Sequence, residues 1–401
     1  MGWLLILCLQ FFLLLTHVIS SSHFICCLDD SSSLLQFKAS FNIDTTDTNC
    51  GKLAYAEVST WQNGTDCCSW LGVTCDTISG HVIGLDLSCN DLQGIIHPNS
   101  TLFHLSHLQT LNLAHNRLFP TQLSSQFGAF VNLTHLNLSD TEIQGEVSSC
   151  MIPQCLANLP FLQVLDMEMN KLYGSVPNTF SSMTFSTLNL NSNQLVGPLP
   201  KSLSNCRNLE VLNLGNKFEG DIPNVIGELH AIIGLNLSHN KLTGAIPQSF
   251  GNLINIESMD LSSNMLTGRI PTELTNLNYL AVLNISQNHL EGAIARGEQF
   301  DTFSNDSYVG NYGLCGLPLS KNCNKISPPS TYSDEHEQKF GFCWQPVAIG
   351  GMVFGVGLGC FVLLIGKPQW LVSMVGGKPN SRRTRRMRPH ERINQNQLLH
   401  M

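Results

Sequence analysis

A pattern that recurs about every 24 residues constrains this chain more than any other feature of its sequence. Nine versions of LxxLxLxxNxLxGxIP occur in residues 82–294. The two clearest copies are residues 235–247 and 259–271, and their asparagines, Asn240 and Asn264, lie 24 positions apart. A fixed period of this length is typical of a solenoid in which each repeat contacts only its neighbours.

The leucines of each copy predict how the repeats stack. In Leu235-Asn236-Leu237, alternation places both leucines on the inner side of a short strand and the asparagine on the open face. One repeat cannot bury its leucines alone, so neighbouring strands should form a curved parallel sheet over a continuous core. The expected fold class is an α/β leucine-rich-repeat solenoid with disulfide-bonded caps, with nine repeats over residues 81–294.

Asparagine and glycine recur where each strand should bend. An asparagine amide can satisfy backbone groups that a sheet leaves unpaired, and glycine accepts backbone angles denied to other residues. The proline of the IP pair should cap its short segment, because proline has no N–H to donate. The recurring positions are Asn90, Asn116, Asn170, Asn193, Asn240, Asn264 and Asn288, and Gly174, Gly197, Gly220, Gly244, Gly268 and Gly292.

The start of the chain is predicted to be a secretory signal peptide over residues 1–22. Leu4 to Leu15 is apolar apart from Gln10. The run lacks the usual preceding basic residues, but it is short for a membrane-spanning helix, which is the alternative.

A second apolar run, from Val347 to Ile365, is uncharged and long enough to cross a bilayer, so we expect a transmembrane helix over residues 347–366. The following residues 367–401 contain eight Lys and Arg and one acid, which predicts a cytoplasmic tail and a single-pass type I protein of the plasma membrane with its repeats outside. Removing this +7 from the formal net charge of −8 leaves −15 for the rest, so nucleic acid is not an expected partner.

Glycines within the expected membrane helix favour pairing with another helix. Gly351, Gly355 and Gly359 recur every four residues, which forms a ridge that another helix can approach closely. Chance in a glycine-rich span is the alternative.

Cysteine-rich segments flank the repeats, and a stack of repeats needs a cover at each apolar end. We expect an N-terminal cap over residues 23–80 and a C-terminal cap over residues 295–323, in which Cys315 should pair with Cys323. The Pro-rich and acidic residues 324–346 have no means of forming a core and should be a solvated stalk.

The N-terminal cap contains the adjacent residues Cys67 and Cys68, which can hardly bond each other without strain. We therefore expect Cys68 to pair with Cys75, and Cys67 to pair with either Cys26 or Cys27. A zinc site is the alternative. Setting aside one cysteine in the signal peptide and one in the membrane leaves thirteen of the fifteen, so at least one outside thiol should be free or bond another chain.

Seven N-x-S/T sequons suit a secreted surface that carries glycans. Those in the middle of an LxL strand should point onto the concave face, where glycans would narrow the surface open to ligands. The sequon asparagines are Asn63, Asn99, Asn132, Asn137, Asn236, Asn284 and Asn305.

Outward positions of the repeats are the candidate ligand contacts, although each could equally be a solvated strand residue. The candidates are His115, Asp166, Glu168, Asn189, His239 and Asp260.

No catalytic constellation, metal site or cofactor is expected. His104 and His107 lie three residues apart and could share a metal, but surface histidines explain them better. There is no G-x-S-x-G elbow and no phosphate-binding loop, so an enzyme is not predicted.

Several motifs together resemble those of plant receptor-like proteins, close to the tomato leaf-mould resistance receptors. They are LLQFK at residues 34–38, the cysteine motif at residues 67–75, QFDTF at residues 299–303 and LCG at residues 314–316, together with the repeats, the acidic stalk, the glycine-rich span and the basic tail. The resemblance implies a kinase-less receptor in defence or development, which binds an extracellular protein, peptide or glycan and signals through a partner receptor-like kinase in the membrane.

The chain departs from that family in the number of its repeats. Family members usually have more than twenty repeats with a non-repeat island. Here residues 212–218 are one residue short of the pattern, with Asn216 early, and the step from Thr141 to Asn170 is 29 residues. We hypothesise that the chain is an internally shortened member of the family.

Three other functions are compatible with the repeats. A developmental receptor-like protein for a secreted peptide is hardly separable from a defence receptor, and a decoy that occupies a co-receptor is a further possibility. An extracellular inhibitor resembling polygalacturonase-inhibiting proteins is the alternative from another class, although those proteins are soluble and the apolar run from Val347 to Ile365 argues against it.

Overall fold

The computed structural model describes residues 26–43, 50, 57–118, 124–146, 159–176, 178–180, 184–297 and 299–323. The expected signal peptide, stalk, transmembrane helix, glycine ridge and tail lie outside the described residues. Within them, no helix combines the length and the apolar character needed to cross a bilayer.

One ten-stranded sheet runs along the repeats. Nine of its strands are parallel, one from each LxL segment, and the tenth comes from the N-terminal cap and pairs antiparallel with the first repeat strand. In chain order these strands are β2 (Val73–Cys75), β3 (Val82–Asp86), β5 (Thr110–Asn112), β7 (His135–Asn137), β9 (Val164–Asp166), β11 (Thr187–Asn189), β13 (Val211–Asn213), β15 (Gly234–Asn236), β17 (Ser258–Asp260) and β19 (Val282–Asn284).

The alternation of side chains in these strands builds the core. Leu235 and Leu237 expose only 2% and 1% of their surface, whereas Asn236 between them is half-buried on the open face. The same inward leucines recur in each repeat and merge into one continuous apolar cluster that reaches both caps. Burial of aliphatic side chains between neighbours is therefore the main favourable term, as the periodicity predicts.

A second set of short strands follows the bends of the repeats. These strands were not predicted from the sequence. Its members pair in parallel with their neighbours, except that the cap strand β1 (Asn42–Ile43) pairs antiparallel with β4. The remaining strands are β4 (Leu92–Gly94), β6 (Arg117–Leu118), β8 (Gln144–Glu146), β10 (Lys171–Ser175), β12 (Gln194–Gly197), β14 (Lys217–Asp221), β16 (Lys241–Thr243), β18 (Thr267–Gly268), β20 (His289–Ala293) and β21 (Gly313–Cys315).

The glycines of these strands have the backbone angles that their recurrence predicts. Gly220 and Gly244 have φ of 82° and 71°, and the other recurring glycines also lie in the left-handed region. A side chain is disfavoured at such angles.

In the repeats that the structure describes, the helices of the convex side are 3₁₀ helices. Between the proline and the next buried leucine only about one tight turn fits, which suits the 3₁₀ geometry. Proline occupies the N-cap position of four of these helices, so it precedes a helical turn, whereas the sequence analysis expected only a strand cap. The 3₁₀ helices of the repeats are Thr101–His104, Ser125–Ala129, Lys201–Asn205, Asn224–Glu228, Gln248–Asn252 and Thr272–Asn276. The single α-helix of the described ranges, α1 (Leu28–Ala39), belongs to the N-terminal cap.

The recurring asparagines bond each repeat to the one before it. Asn264 donates from Nδ2 to the carbonyls of Leu261 and Ser262 in its own repeat and of Leu237 in the preceding repeat, while its Oδ1 accepts the Leu242 N–H at 3.0 Å. We call this series of buried side chains the asparagine ladder. It comprises Asn116, Asn170, Asn193, Asn216, Asn240, Asn264, Asn288 and Asn311.

The ladder extends beyond the sequence expectation at two places. Thr141 stands where an asparagine was expected, and its hydroxyl donates to the Leu138 carbonyl at 2.8 Å. In the C-terminal cap, Asn311 accepts the Leu290 N–H at 3.0 Å, so the cap ends the stack by imitating one more repeat.

Two caps close the apolar ends of the stack. In the N-terminal cap, Leu34 and Phe37 of α1 are fully buried, and Trp61 stacks on Trp70 with their ring centroids 5.3 Å apart. Four disulfides lie in or beside the caps: Cys26–Cys67, Cys50–Cys89, Cys68–Cys75 and Cys315–Cys323.

The disulfides resolve the alternative that the sequence left open. Cys26, and not Cys27, bonds Cys67. The bond between Cys50 and Cys89, which are 39 residues apart, was not expected, because it joins a cap loop to the first repeat. Among the described cysteines, Cys27 and Cys206 carry free thiols.

The asparagine ladder leads to a prediction about stability. Asn264→Ala should lower the free energy of unfolding by about 3 kcal/mol, since it leaves a buried N–H and buried carbonyls unpaired. Asn255→Ala is the matched control: Asn255 is exposed and makes a single bond of its Nδ2 to the His230 carbonyl, so its loss should cost less than about 0.5 kcal/mol. Urea unfolding of the purified chain measures both values, and equal losses would contradict the role given to the ladder.

Candidate functional site

The concave sheet displays a row of aspartate and asparagine side chains. Each of the nine parallel strands ends in Asp or Asn, and these residues are direct partners across neighbouring strands. We call them the Asx row: Asp86, Asn112, Asn137, Asp166, Asn189, Asn213, Asn236, Asp260 and Asn284.

Most members of the Asx row stabilise the turn that follows their own strand. In eight of the nine, Oδ1 accepts the backbone N–H two residues later, as in the 2.9 Å bond from Ser262 to Asp260. This local bond fixes the side chain and leaves its other polar atom to face the neighbouring strand. The concave face is therefore a preorganised polar surface.

The exception is Asn213, which lies in the repeat that is one residue short. Its Oδ1 is buried and has no hydrogen-bond partner. The missing residue is the left-handed one that precedes the asparagine of the ladder elsewhere, as at His239 with φ of 56°. Strand β13 nevertheless keeps its register with both neighbours, so the sheet accommodates the deletion.

Two carboxylates of the concave face are almost completely buried from solvent. Asp166 and Glu168 expose 9% and 8% of their surface. Nδ2 of Asn189 donates to Asp166 at 3.2 Å and to Glu168 at 2.9 Å, and Nδ2 of Asn191 donates to Glu168 at 2.7 Å. These donors are neutral amides, which stabilise the carboxylates without neutralising their charge.

Asp140 adds a third acid beside this pair. Its backbone N–H donates to the Glu168 carbonyl at 2.8 Å, and its carboxylate contacts the His115 ring at 3.1 Å. We call Asp140, Asp166 and Glu168 the acidic cluster. The hydrogen bond that Asp140 accepts from the His115 ring raises the pKa of His115, and the charges of Asp166 and Glu168 act in the same direction.

Burial also shifts the ionisation of Asp166. Desolvation raises the pKa of this carboxyl from 3.8 to about 6, and the nearby Glu168 charge adds to the shift. Such a shift marks a negative charge that the surrounding protein compensates only in part.

The structure brings together four of the six candidate ligand contacts. Asp166, Glu168 and Asn189 form one hydrogen-bonded group, and His115 interacts electrostatically with the first two. Asp166, Glu168 and Asn189 are more buried than we predicted for outward positions, because the neighbouring repeats cover their sides.

The other two candidates lie apart from this group. His239 is an exposed residue of the left-handed turn after β15, not of the strand itself. Asp260 at the end of β17 accepts a 3.2 Å bond from Nδ2 of Asn284. His115 likewise lies in a left-handed turn, with φ of 57°.

Sequence reasoning missed Asp140 and Asn191. Both follow a strand of the LxL pattern within three positions, so the signal was a polar residue in the turn on either side of Glu168. Only the inter-repeat hydrogen bonds show that these turns meet at one point.

The sequons fall into two groups. Asn63, Asn99, Asn132 and Asn305 are exposed, and a glycan could extend from them into solvent; Asn236 and Asn284 on the concave face are half-buried. A glycan at Asn137 is not compatible with this fold, because the Nδ2 atom that would carry the sugar is buried against its neighbours.

The raised pKa of Asp166 predicts a specific dependence of stability on pH. The folded state holds the proton of Asp166 more tightly than the unfolded chain, so this contribution is complete below about pH 3.8 and is lost as the pH rises through about 6. Relative to Asp166→Asn, which cannot ionise, the wild type should lose up to about 3 kcal/mol of stability between those limits. Urea unfolding of both proteins across this range measures the difference, and parallel pH curves would contradict it.

Comparisons with protein families match both the cap and the repeats. Residues 27–76 match the leucine rich repeat N-terminal domain, and residues 184–206 and 232–290 match leucine rich repeats.

Among curated proteins, the chain is similar to receptor-like proteins of plants. It is 32% identical over 240 residues to Receptor-like protein 6 of Arabidopsis thaliana, which covers 50% of this chain and 24% of that protein. It is also 32% identical over 242 residues to Receptor-like protein Cf-9 of Solanum pimpinellifolium, which covers 53% of this chain and 28% of that protein. The chain thus spans about a quarter of the length of these relatives.

Solved structures with the same fold include plant receptor ectodomains. The ectodomain of the receptor kinase GASSHO1/SCHENGEN3 from Arabidopsis thaliana, in complex with CASPARIAN STRIP INTEGRITY FACTOR 2, is 35% identical, with a TM-score of 0.55, and covers 60% of this chain and 28% of that chain. The Arabidopsis receptor kinase HAESA, in complex with the peptide hormone IDA and the co-receptor SERK1, is 27% identical, with a TM-score of 0.55. The match covers 74% of this chain and 50% of that chain. A plant ice-binding protein is 26% identical, with a TM-score of 0.57, and the match covers 75% of this chain and 99% of that chain.

The cap, the asparagine-bonded repeats and the curated relatives agree with one another: this chain has the N-terminal cap and repeats of a leucine-rich-repeat protein, and its sequence is similar to that of plant receptor-like proteins.

Proposed function

We propose that this chain is a kinase-less cell-surface receptor-like protein whose concave face binds an extracellular ligand, and that the acidic cluster receives a cationic group of that ligand. An arginine or lysine side chain of a peptide is the chemistry that fits best. A guanidinium, in particular, can bond two carboxylate oxygens at once.

The observation that carries this proposal is the burial of the Asp166 and Glu168 carboxylates in the concave sheet, where their hydrogen-bond donors are neutral amides. Both side chains are held in place by Asn189 and Asn191, so they do not need to reorganise when a cation arrives. A buried carboxylate costs free energy when it is ionised, and an incoming cation would offset that cost. Binding therefore gains from a destabilisation that the free protein already carries.

The related structures support a peptide as the ligand and a second receptor as the partner. The similar ectodomain of the receptor kinase HAESA is known in complex with the peptide hormone IDA, and in one structure also with the co-receptor SERK1. In this chain, the membrane helix expected from the sequence, with Gly351, Gly355 and Gly359, is the proposed contact with a receptor-like kinase.

Defence is the proposed setting. The resemblance of the chain's motifs to those of the tomato leaf-mould resistance receptors is the support for it. A developmental role with a secreted peptide hormone is the second candidate, since such hormones occupy the similar ectodomains. An elicitor panel on plants lacking the gene separates the two, because only the defence reading predicts a lost response to a pathogen-derived molecule.

Binding of matched synthetic peptides tests the acidic cluster. An arginine-containing peptide selected from secreted plant or pathogen peptides should bind the purified chain, and Glu168→Gln should weaken its binding about tenfold or more by removing a charge-assisted hydrogen bond. Glu219→Gln is the control, because Glu219 is exposed on β14, outside the concave sheet. Affinity should also fall as the pH drops through about 6, since Asp166 is then protonated.

Two results would contradict this proposal. One is an affinity that Glu168→Gln and Glu219→Gln change to the same extent, which would move the site away from the acidic cluster. The other is a peptide-bound chain in plant membranes that co-precipitates no receptor-like kinase, which would remove the proposed route of signalling.

A further inference from the structure

Three side chains with metal-binding atoms converge at the N-terminal edge of the solenoid. The Cys27 thiol, the Asp30 carboxylate and the His81 imidazole each direct one ligand atom into a space where all three atoms lie within 4.8 Å of one another. This group is separate from the concave face. No part of the ligand-binding proposal uses it.

The local fold explains why these residues meet. Cys27 precedes the first turn of α1, and Asp30 follows three residues later, so both lie on the same side of that turn. The Cys27 backbone N–H donates to the Gly80 carbonyl at 3.1 Å, which holds the start of α1 against the residue before His81. The set therefore combines two ligands from the helix start with one from the start of the first repeat strand.

The carboxylate and the imidazole are already oriented toward each other. Oδ2 of Asp30 lies 3.2 Å from Nδ1 of His81 and accepts the Val82 N–H at 2.9 Å. Asp30 is buried, with 6% of its surface exposed. The ring of His81 stacks on that of His107, with centroids 4.0 Å apart, which restricts its rotation. Such outer contacts are the kind that fix metal ligands in place.

The third group is a thiol that the disulfides leave unused. Cys26 takes the bond to Cys67, and Cys27 stays free although it is adjacent in sequence. The other free thiol of the described residues, Cys206, is fully buried among leucines, and burial raises its pKa to about 11. Cys27 is half-buried instead, so solvent can reach its sulfur.

We propose that Cys27, Asp30 and His81 bind one zinc ion, with water as the fourth ligand. Thiolate, imidazole and carboxylate are the donor types that zinc takes, at bond lengths of about 2.0 to 2.3 Å. A tetrahedral ion with such bonds places its ligand atoms roughly 3.3 to 3.8 Å apart. The Asp30 and His81 atoms are 3.2 Å apart, close to that range, and the Cys27 sulfur lies within 4.8 Å of both. Calcium and magnesium ions do not suit this set of ligands, because they prefer oxygen donors.

The ion would connect the N-terminal cap to the repeats. Two of its ligands belong to the beginning of α1, and the third belongs to the residue before β3, so binding adds a link between cap and solenoid to the one that the Cys50–Cys89 bond provides. A ligand that binds only the folded state stabilises it. Zinc should therefore raise the melting temperature of the cap.

A metal titration of the purified full chain tests this site. After treatment with a chelator, the chain should bind Co²⁺ with a sulfur-to-cobalt charge-transfer band in the near ultraviolet, and Zn²⁺ should displace the cobalt. Cys27→Ala should abolish the band and weaken zinc binding at least about a hundredfold, since loss of a direct ligand exceeds the tenfold to hundredfold effect of an outer contact. Cys206→Ala is the matched control and should keep the band.

A second variant separates metal binding from folding. Asp30→Asn keeps an oxygen that can accept the Val82 N–H, so the cap should fold as judged by circular dichroism, while zinc should no longer raise its melting temperature. A cobalt band that persists in Cys27→Ala would overturn the proposal, as would zinc stabilisation that persists in Asp30→Asn. Peptide mapping that finds Cys27 in a disulfide would also overturn it, because the thiolate would not be free; Asp30 and His81 would then form an ion pair only.

Discussion

The bonding of one asparagine side chain to two successive repeats is the interaction on which the rest of this structure depends. Asn240, for example, donates to the carbonyls of Leu237 and Ser238 in its own turn and of Leu214 in the preceding repeat, and it accepts the Phe218 N–H from that same preceding repeat. The turn it stabilises includes a left-handed residue, as at His239 and Ser263. Buried leucines supply most of the free energy, but they do not specify a register, whereas these bonds do.

Register explains the chemistry of the concave face. Because the strands pair in a common register, the Asp and Asn side chains at their ends form one continuous row. Where the following turns also carry acids, at Asp140 and Glu168, the backbones of the two turns are hydrogen-bonded to each other, and burial raises the pKa of Asp166. The repeat that lacks one residue shows how strongly the register is held: Asn216 still donates to the preceding repeat, and the cost is a single orphaned Oδ1 on Asn213.

The sequence predicted those features that depend on one repeat and its period. The inward leucines, the asparagine at each bend, the left-handed glycines and the Cys68–Cys75 and Cys315–Cys323 bonds were all expected, since each follows from local spacing. The second sheet and the convex 3₁₀ turns were not, because short segments of this kind acquire their conformation from the neighbouring repeat. Burial of Asp166 and Asn137, which the sequence placed on an open face, is likewise a property of the stack.

Contacts between distant residues were the least predictable. Asp30 and His81 are 51 residues apart, and Cys50 and Cys89 are 39 residues apart, and neither separation has a pattern that would reveal it. The acidic cluster was less predictable than the features of a single repeat but more predictable than these long-range contacts. Its members occupy recognisable outward or turn positions, but three successive repeats have to be assembled before their charges can be seen to interact.

Amide hydrogen exchange of the purified chain tests the central claim most directly. The N–H groups of Leu242, Leu266 and Leu290 donate to ladder asparagines inside the stack, so they should exchange orders of magnitude more slowly than the Ile78 and Ser79 N–H groups, which bond Asp76 in an exposed turn. Leu195 and Phe218, on either side of the short repeat, should also be protected. Exchange of the leucine amides as fast as that of Ile78 and Ser79 would contradict the account, because the asparagine bonds would then not hold the repeats in register.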